Sequence, residues 1–167
     1  MQLVSWRADV LTCVSEDMVQ QYNKVFKNTR HQCIYNIIVD EESKKKSREV
    51  INEPWFEAGD CPKLIAAGAL EHWKGFQDLI HAITYIQPSQ EVKLLILGDG
   101  PLKKELQALI SELNLEDSIK LAGFVQNPLS YFKKADIFIL SSHVEGLPNV
   151  LVEAMMCGCT PVSTNCP

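Results

Sequence analysis

The sequence lacks the features of a membrane-spanning protein and of a secreted one. No apolar run in its 167 residues approaches the roughly 18 residues that a membrane span needs. The start, Met1-Gln2-Leu3-Val4, has no long apolar core of the kind that a signal peptide carries. We therefore expect a cytoplasmic protein without a transmembrane segment.

An excess of basic charge is also missing. The chain has 16 lysines and arginines against 21 aspartates and glutamates, so its net charge is −5. This balance argues against nucleic acid as a partner and against nonspecific binding to anionic membranes. Apolar residues make up 46% of the chain and charged residues 22%, which is typical of a globular domain and not of a disordered tail.

The six cysteines form no CxxC pair, and no histidine follows them at zinc-finger spacing. Cys13 and Cys33 lie in apolar stretches, where a reduced cysteine behaves as a small apolar residue. Cys157-Gly-Cys159 could chelate a metal or act in redox chemistry, but the neighbouring sequence supports neither. The sequence predicts buried or incidental thiols and no metal site.

The sequence does contain a regular alternation of predicted strands and helices. Apolar runs that suit strands buried on both faces alternate with apolar residues at helical spacing. The predicted strands are 9–14, 32–35, 63–67, 92–97, 118–122, 137–140 and 160–163; the predicted helices are one that Ser15 caps and those at 76–83, 102–113, 128–134 and 148–156. Such an alternation predicts an α/β domain with a Rossmann-like, doubly wound parallel sheet.

The polar segment 40–62 interrupts this alternation. It carries Lys44-Lys45-Lys46 and two prolines, which indicates a linker with one or two exposed helical turns. The lysine run is interpreted as a solvated face and not as a phosphate site. The chain thus divides into residues 1–39, a linker at 40–62 and a main domain at 63–167.

Ligands of doubly wound sheets bind beyond the carboxyl ends of the strands. One such loop, Gly98-Asp99-Gly100-Pro101, is glycine-rich, and glycines allow a ligand to approach the backbone closely. It is not the GxGxxG dinucleotide fingerprint, because Lys103 stands at the third glycine's place. A plain tight turn and a ligand contact both stay open at this point.

The loop after the strand 137–140 carries more chemistry. Pro148 stands at the start of the next predicted helix, whose first free N–H groups form a ready anion site. Glu145 precedes that helix and Glu153 lies within it. Two carboxylates would repel a bare phosphate, so hydroxyl groups are their natural partners. Lys74, in the loop after another strand, is a candidate phosphate partner. The pattern favours a ligand with phosphates and sugar hydroxyls, although solvated surface residues would also explain it.

These residues resemble the retaining glycosyltransferases of the GT4 type, which have the two-domain GT-B fold. Glu145 and Glu153 stand at the E-x7-E spacing of that family. The other matching segments are Gly68-Ala69-Leu70, Lys74-Gly75, Gly98-Asp99-Gly100-Pro101, Leu121-Ala122-Gly123-Phe124-Val125, Ala135-Asp136-Ile137-Phe138-Ile139-Leu140-Ser141 and Glu153-Ala154-Met155. The resemblance implies that 63–167 is the C-terminal domain of a GT-B fold, incomplete at its end, and that 1–39 is a remnant of the N-terminal domain.

The resemblance also implies an activity. A hexosyltransferase-type enzyme would transfer a sugar, with retention of configuration, from a nucleotide diphosphate sugar, expected to be a UDP-sugar, to a glycan or lipid-linked acceptor in polysaccharide biosynthesis. The missing N-terminal domain would bind the acceptor, so this chain alone is expected to be inactive. No metal or other cofactor is implied, because lysine and helix amides stabilise the leaving group. Peripheral membrane association of the full enzyme is compatible with this family.

The family's site residues map onto particular positions. Glu153 would hold the ribose hydroxyls, Glu145 would orient the donor sugar, and Lys74 would neutralise charge on the leaving diphosphate. The remaining expected donor-binding residues are Gly146, Leu147, Pro148, Asn149 and Val150 at the diphosphate and sugar, Gly68 and Gly98 at the strand ends, and Phe124 and Val125 at the base.

One position departs from the family. Ala69 stands where members carry an arginine, and losing that cation would weaken leaving-group stabilisation by about 1.5–3 kcal/mol. A non-catalytic domain that binds a nucleotide sugar or a partner protein therefore remains an alternative. A GT-B-like nucleotide-sugar epimerase is another, although Gly146-Leu147-Pro148-Asn149 matches the transferases better.

Overall fold

Strands and helices alternate through the residues that the computed structural model describes, 8–26, 30–38, 40–57 and 59–166. The strands are β1 (Leu11–Cys13), β2 (His31–Cys33), β3 (Lys63–Ala67), β4 (Lys93–Leu97), β5 (Ile119–Gly123), β6 (Ile137–Leu140) and β7 (Thr160–Ser163). The helices are α1 (Glu16–Val25), α2 (Glu41–Ser47), α3 (Pro54–Glu57), α4 (Phe76–Ile86), α5 (Lys103–Glu112), α6 (Leu129–Phe132) and α7 (Asn149–Cys157). They form two compact units, one of residues 1–37 with 146–149 and one of residues 38–145 with 150–167.

The first unit contains a parallel strand pair. β1 and β2 pair with Leu11 opposite His31, and α1 connects them. Ser15 caps α1 as predicted, since its hydroxyl accepts a hydrogen bond from the Met18 N–H at 3.3 Å. Glu16 and Asp17 follow in the first turn, where acidic side chains interact favourably with the positive end of the helix dipole.

The second unit is built on a five-stranded sheet in the order β5-β4-β3-β6-β7. Every neighbouring pair in it is parallel. Each strand is therefore reached through a crossover, which the intervening helices provide. The predicted α/β class and parallel sheet are confirmed.

Both faces of this sheet are covered. Along β3, Leu64 and Ala66 pack into one apolar cluster, which includes Ile80 of α4 and Leu106 of α5. Ile65 points to the opposite face and joins a second cluster. The members of that cluster on α3, α6 and α7 are Phe56, Leu129, Phe132, Ala154 and Cys157. Successive strand residues thus bury on opposite sides, as a doubly wound sheet requires.

The segment 40–62, predicted to be a linker with one or two exposed helical turns, carries two short helices. It holds α2 and α3 and belongs to the same compact unit as the sheet. Phe56 is 5% exposed, because it packs into the second cluster beside Ile65. Buried Glu53 is paired with Lys120 of β5 at 2.8 Å. The origin of residues 1–39 in a preceding domain stays a prediction.

Four of the six cysteines are packed in the interior. Cys13, Cys61, Cys157 and Cys159 are buried and free. The Cys159 thiol donates to the carbonyl oxygen of Phe132 at 3.0 Å, and burial raises its pKa to about 11. Within the described ranges, no group of three or more histidine, cysteine, aspartate or glutamate side chains could hold a metal ion. The helices in those ranges are also too short or too polar to cross a bilayer.

The ends of β3 and β4 approach each other closely, and glycine makes this approach feasible. The Gly68 N–H donates to the carbonyl oxygen of Leu97 at 3.0 Å. Gly98 has φ +138°, and a Cβ atom placed on it would lie 1.9 Å from the Gly68 carbonyl oxygen. No L-residue with a side chain fits there without moving one strand end away from the other.

Replacing Gly98 should therefore destabilise the second unit strongly. We expect Gly98→Ala to lower the free energy of unfolding by about 3 kcal/mol or more, since backbone strain adds to a backbone clash. The matched control is Gly68→Ala, whose new Cβ would meet only the Lys74 side chain, at 3.4 Å. Urea denaturation followed by circular dichroism measures both variants, and equal losses would contradict the steric argument.

Candidate functional site

The carboxyl ends of β3, β4 and β5 surround a pocket of about 360 Å³. The predicted donor-binding residues that line it are Gly68, Gly98, Phe124, Val125 and Val150. Ala67, Ala69, Leu97, Asp99 and Pro128 complete the lining. Five residues predicted from four separate segments thus meet at one pocket. Ala69 itself faces this space, so the position where the family carries arginine is part of the pocket wall.

Asp99 is the one acidic residue in that lining, and sequence reasoning did not single it out. Its carboxylate accepts a hydrogen bond from the Gly100 N–H at 2.8 Å and is paired with Lys103 at 3.2 Å. The backbone hydrogen bond, followed by the Lys103 contact, lowers the pKa of Asp99 below its usual value. A carboxylate between two glycines at a strand end was the available signal.

Lys74 lies in a short 3₁₀ turn, His72–Lys74, which follows β3. Gly75 ends the turn with φ +64°, and a Cβ atom on it would lie 2.0 Å from the Ser141 carbonyl oxygen. The turn is therefore docked on the loop after β6. The Lys74 methylene groups pass beside Gly68, 3.4 Å from where its Cβ would be. This places Lys74 next to the pocket wall.

Lys74 and Glu145, the two predicted catalytic residues, form an ion pair. The Lys74 Nζ atom is 2.5 Å from Glu145 Oε1. The side chains are only 18% and 14% exposed, so water screens this pair much less than a surface pair. The Ser142 hydroxyl donates to the same Glu145 oxygen at 2.7 Å. Sequence reasoning placed Lys74 and Glu145 separately toward a ligand and missed that each neutralises the other.

Two further residues, His143 and Trp73, are neighbours in sequence of this ion pair. His143 has a partner, because its Nε2 atom lies 2.7 Å from Asp78 Oδ2 of α4. Both side chains of that pair are more than half exposed. Trp73 is 50% exposed. Its carbonyl oxygen accepts a hydrogen bond from the His143 N–H at 2.8 Å, which adds a second link between the turn and the loop.

Glu153 lies in α7, three residues after Val150 of the pocket wall, and residues at this spacing share one helix face. The Glu153 carboxylate is half-buried and has no hydrogen-bond or ion-pair partner among residues 8–26, 30–38, 40–57 and 59–166. Burial raises its pKa above the usual value. Glu153 is not in the pocket lining itself, so its predicted ribose contact stays a prediction.

The predicted diphosphate-binding segment Gly146, Leu147, Pro148 and Asn149 belongs to the first compact unit. Within that unit, the Asn36 side-chain amide donates to Asn149 Oδ1 at 3.0 Å. A Cβ atom on Gly146 would lie 3.0 Å from Met18 Sδ. The role of this segment toward a ligand also stays a prediction.

Comparison with known proteins connects this arrangement to a family. The model of the family described as glycosyl transferases group 1 matches residues 47–167. The Campylobacter jejuni N-acetylgalactosamine-N,N'-diacetylbacillosaminyl-diphospho-undecaprenol 4-alpha-N-acetylgalactosaminyltransferase is 37% identical over 150 residues, covering 90% of this chain and 38% of that protein. The Bacillus anthracis N-acetyl-alpha-D-glucosaminyl L-malate synthase is 28% identical over 159 residues, covering 95% and 42%. The chain thus spans about two fifths of the length of these curated relatives.

Solved structures share the fold. Anabaena HepE in complex with UDP and glucose matches with a TM-score of 0.76 at 24% identity, covering 99% of this chain and 47% of that one. A TarM variant from S. aureus, in a complex that includes UDP, matches with a TM-score of 0.80 at 18% identity, covering 97% and 31%. The five-stranded parallel sheet matches the C-terminal domains of GT-B glycosyltransferases, which confirms the fold expected from the resemblance.

The half-buried Glu153 carboxylate should make stability depend on pH. Because its pKa is raised above the usual 4.5, this group favours the folded state below pH 4.5, and that contribution is lost as the pH rises through the folded-state pKa. We expect Glu153→Gln to raise the free energy of unfolding more at pH 7 than at pH 4. Urea denaturation at both values measures this difference. The exposed control Glu112→Gln should show no such gain, and a pH-independent effect of Glu153→Gln would contradict the burial argument.

Proposed function

Because the chain belongs to the group 1 glycosyltransferases, we propose that it forms the donor-binding part of a retaining enzyme that uses a UDP-sugar. The sugar would pass to a glycan or lipid-linked acceptor bound by another domain of the whole protein. UDP is named in the complexes of two solved proteins that share this fold. Those proteins are at most 24% identical to this chain, so their ligand supports the proposal without deciding it.

The pocket suits a nucleoside diphosphate in size and in lining. Its volume of about 360 Å³ lies within the range of small-molecule sites. Phe124 and Val125 offer an apolar wall for a base, and Phe124 is 79% exposed. The backbone at Gly68 and Gly98 carries no side chain that would keep a ligand away. These features support base and ribose binding here and leave the choice of sugar open.

The Lys74–Glu145 ion pair beside Gly68 is the observation on which the proposal rests. A nucleotide diphosphate sugar offers a phosphate anion for Lys74 and sugar hydroxyls for Glu145, so it can replace the partner of each residue. Lys74 would then stabilise the diphosphate as negative charge develops on it. The proposal invokes no metal ion, since the Lys74 ammonium group can supply this stabilisation.

The proposed reaction follows from those roles. The bond between the anomeric carbon and the diphosphate oxygen breaks, and the electron pair stays on the diphosphate. An acceptor hydroxyl forms the new bond on the same face of the sugar, which retains the configuration. Its proton passes to the departing diphosphate oxygen. Glu145 orients the sugar hydroxyls, while Glu153 holds the ribose hydroxyls.

Removing the Lys74 charge should weaken nucleotide binding. We expect Lys74→Ala to reduce UDP affinity by about tenfold or more, because a charge-assisted contact to phosphate is lost. Isothermal titration of the chain with UDP in the presence of EDTA measures this and tests metal independence together. Lys104→Ala, which removes an exposed charge from α5, is the matched control and should bind like the parent. GDP and ADP titrations test the preference for uridine.

Three results, two from that titration and one from a transfer assay, would contradict the proposal. Unchanged UDP affinity in Lys74→Ala would remove this residue from the site. Tight NAD binding with no response to any nucleoside diphosphate would remove the donor-binding role. UDP-sugar binding without transfer, measured in a protein that also contains the acceptor domain, would favour a non-catalytic domain. The Ala69 methyl group in the pocket wall is the feature that favours that second candidate.

Glu153 has a sharper test, because its proposed partners are the ribose hydroxyls and one of these can be removed from the ligand. We expect 2′-deoxy-UDP to bind the parent chain about tenfold more weakly than UDP, since a carboxylate hydrogen bond to the ribose is lost. In Glu153→Ala the two nucleotides should bind with equal affinity. Isothermal titration of both ligands to both proteins completes the cycle, with Glu112→Ala as the control. If Glu153→Ala still binds UDP more tightly than 2′-deoxy-UDP, the ribose contact belongs to another residue.

A further inference from the structure

Ser142 is not one of the predicted site residues, yet it contacts the Lys74–Glu145 ion pair directly. It is 1% exposed, and its hydroxyl donates to Glu145 Oε1 at 2.7 Å. Lys74 Nζ contacts the same oxygen. One carboxylate oxygen therefore receives two donors, one neutral and one charged. Such charge-assisted hydrogen bonds are the stronger ones in proteins.

Ser142 is itself held in place from β7. The Thr164 hydroxyl, one residue beyond β7, donates to the Ser142 carbonyl oxygen at 2.5 Å. The Thr164 N–H donates to the Leu140 carbonyl oxygen at 3.0 Å. The backbone at Ser142 is thus fixed to the end of the neighbouring strand.

The lysine side of the pair is fixed by the same loop. The Ser141 hydroxyl donates to the Lys74 carbonyl oxygen at 2.8 Å, and Gly75 permits the Ser141 carbonyl to approach the turn. Two neighbouring serines thus contact the two partners, Ser141 at the Lys74 backbone and Ser142 at the Glu145 carboxylate. The loop after β6 places both charges.

We infer that Ser142 is a positioning residue, which directs Glu145 Oε1 toward Lys74 and leaves Oε2 for a ligand. None of the described residues donates a hydrogen bond to Oε2. A carboxylate with free rotation would offer either oxygen to either partner, whereas two donors on Oε1 fix the orientation. That Oε2 faces the donor sugar rests on the proposed function. The orientation of the carboxylate rests on the two hydrogen bonds to Oε1 and not on the proposed function.

Amine labelling tests this orientation without any ligand. Lys74 reacts slowly with a brief pulse of acetic anhydride when Glu145 covers its ammonium group, and mass spectrometry measures its rate in the full chain. We expect Ser142→Ala to raise the Lys74 rate about threefold or more, since Glu145 loses a donor that holds it. Lys93, whose side chain is 14% exposed, reports folding and should not change. Ser130→Ala removes another buried hydroxyl, which donates to the Asn127 carbonyl oxygen, and should leave both rates unchanged.

A double variant shows whether Ser142 acts through Glu145. In a Glu145→Ala background, Ser142→Ala should add no further increase in the Lys74 rate. An added increase there, or an unchanged Lys74 rate in the single variant with Lys93 still protected, would overturn the inference. If Ser142→Ala exposes Lys93 as well, Ser142→Cys decides, because it keeps the size and weakens the donor. A selective Lys74 increase then supports positioning, and no increase overturns it.

Titration with UDP separates this inference from the proposed function. A chain that fails to bind UDP but shows the selective labelling change would overturn donor binding and leave the positioning of Glu145 intact. A chain that binds UDP but shows no labelling change in Ser142→Ala or Ser142→Cys would support donor binding and overturn the positioning of Glu145.

Discussion

The central place of β3 in the sheet is the constraint on which the candidate site depends. β3 pairs with β4 on one side and with β6 on the other, and all three are parallel. Their carboxyl ends therefore meet at one edge. Pairing with β4 puts Gly68 against Gly98, and pairing with β6 brings the Glu145 loop to the Lys74 turn. Two residues 71 positions apart in sequence become partners through strand order alone.

That partnership has an electrostatic consequence for the ligand. A lysine or a glutamate at this low exposure would be costly if either stood alone, because burial removes most of its hydration. Together they are tolerated, and any ligand that separates them must satisfy both. An inorganic phosphate satisfies Lys74 and repels Glu145, whereas a sugar alone leaves Lys74 without its anion. A molecule with phosphate and hydroxyl groups at adjacent positions meets both needs, which is the chemistry of a nucleotide sugar.

Periodicity predicted the sheet well because it reports which face of an element is buried. The apolar run 63–67 predicted a strand buried on both faces. Ser15 was predicted to cap a helix, and the loops after the strands were predicted to contact a ligand. The Lys74–Glu145 ion pair could not be predicted from the sequence. The partner of a charged side chain depends on strand order, which a single sequence leaves open. For the same reason, the polar segment 40–62 concealed Phe56, whose burial requires a sheet face that local sequence does not encode. No motif or periodicity in the sequence singled out Ser142 as a site residue.

The distance in sequence between β3 and β6 also bears on how the protein folds. β3, α4 and β4 follow one another closely, so their contacts close short loops. β6 is separated from β3 by α4, β4, α5, β5 and α6, and closing a loop of that length slows association. We therefore expect the β3–β4 half to form early and β6 to dock late. The ion pair, which bridges the two, is among the last contacts made, so an intermediate with a formed sheet core would still be unable to hold a ligand.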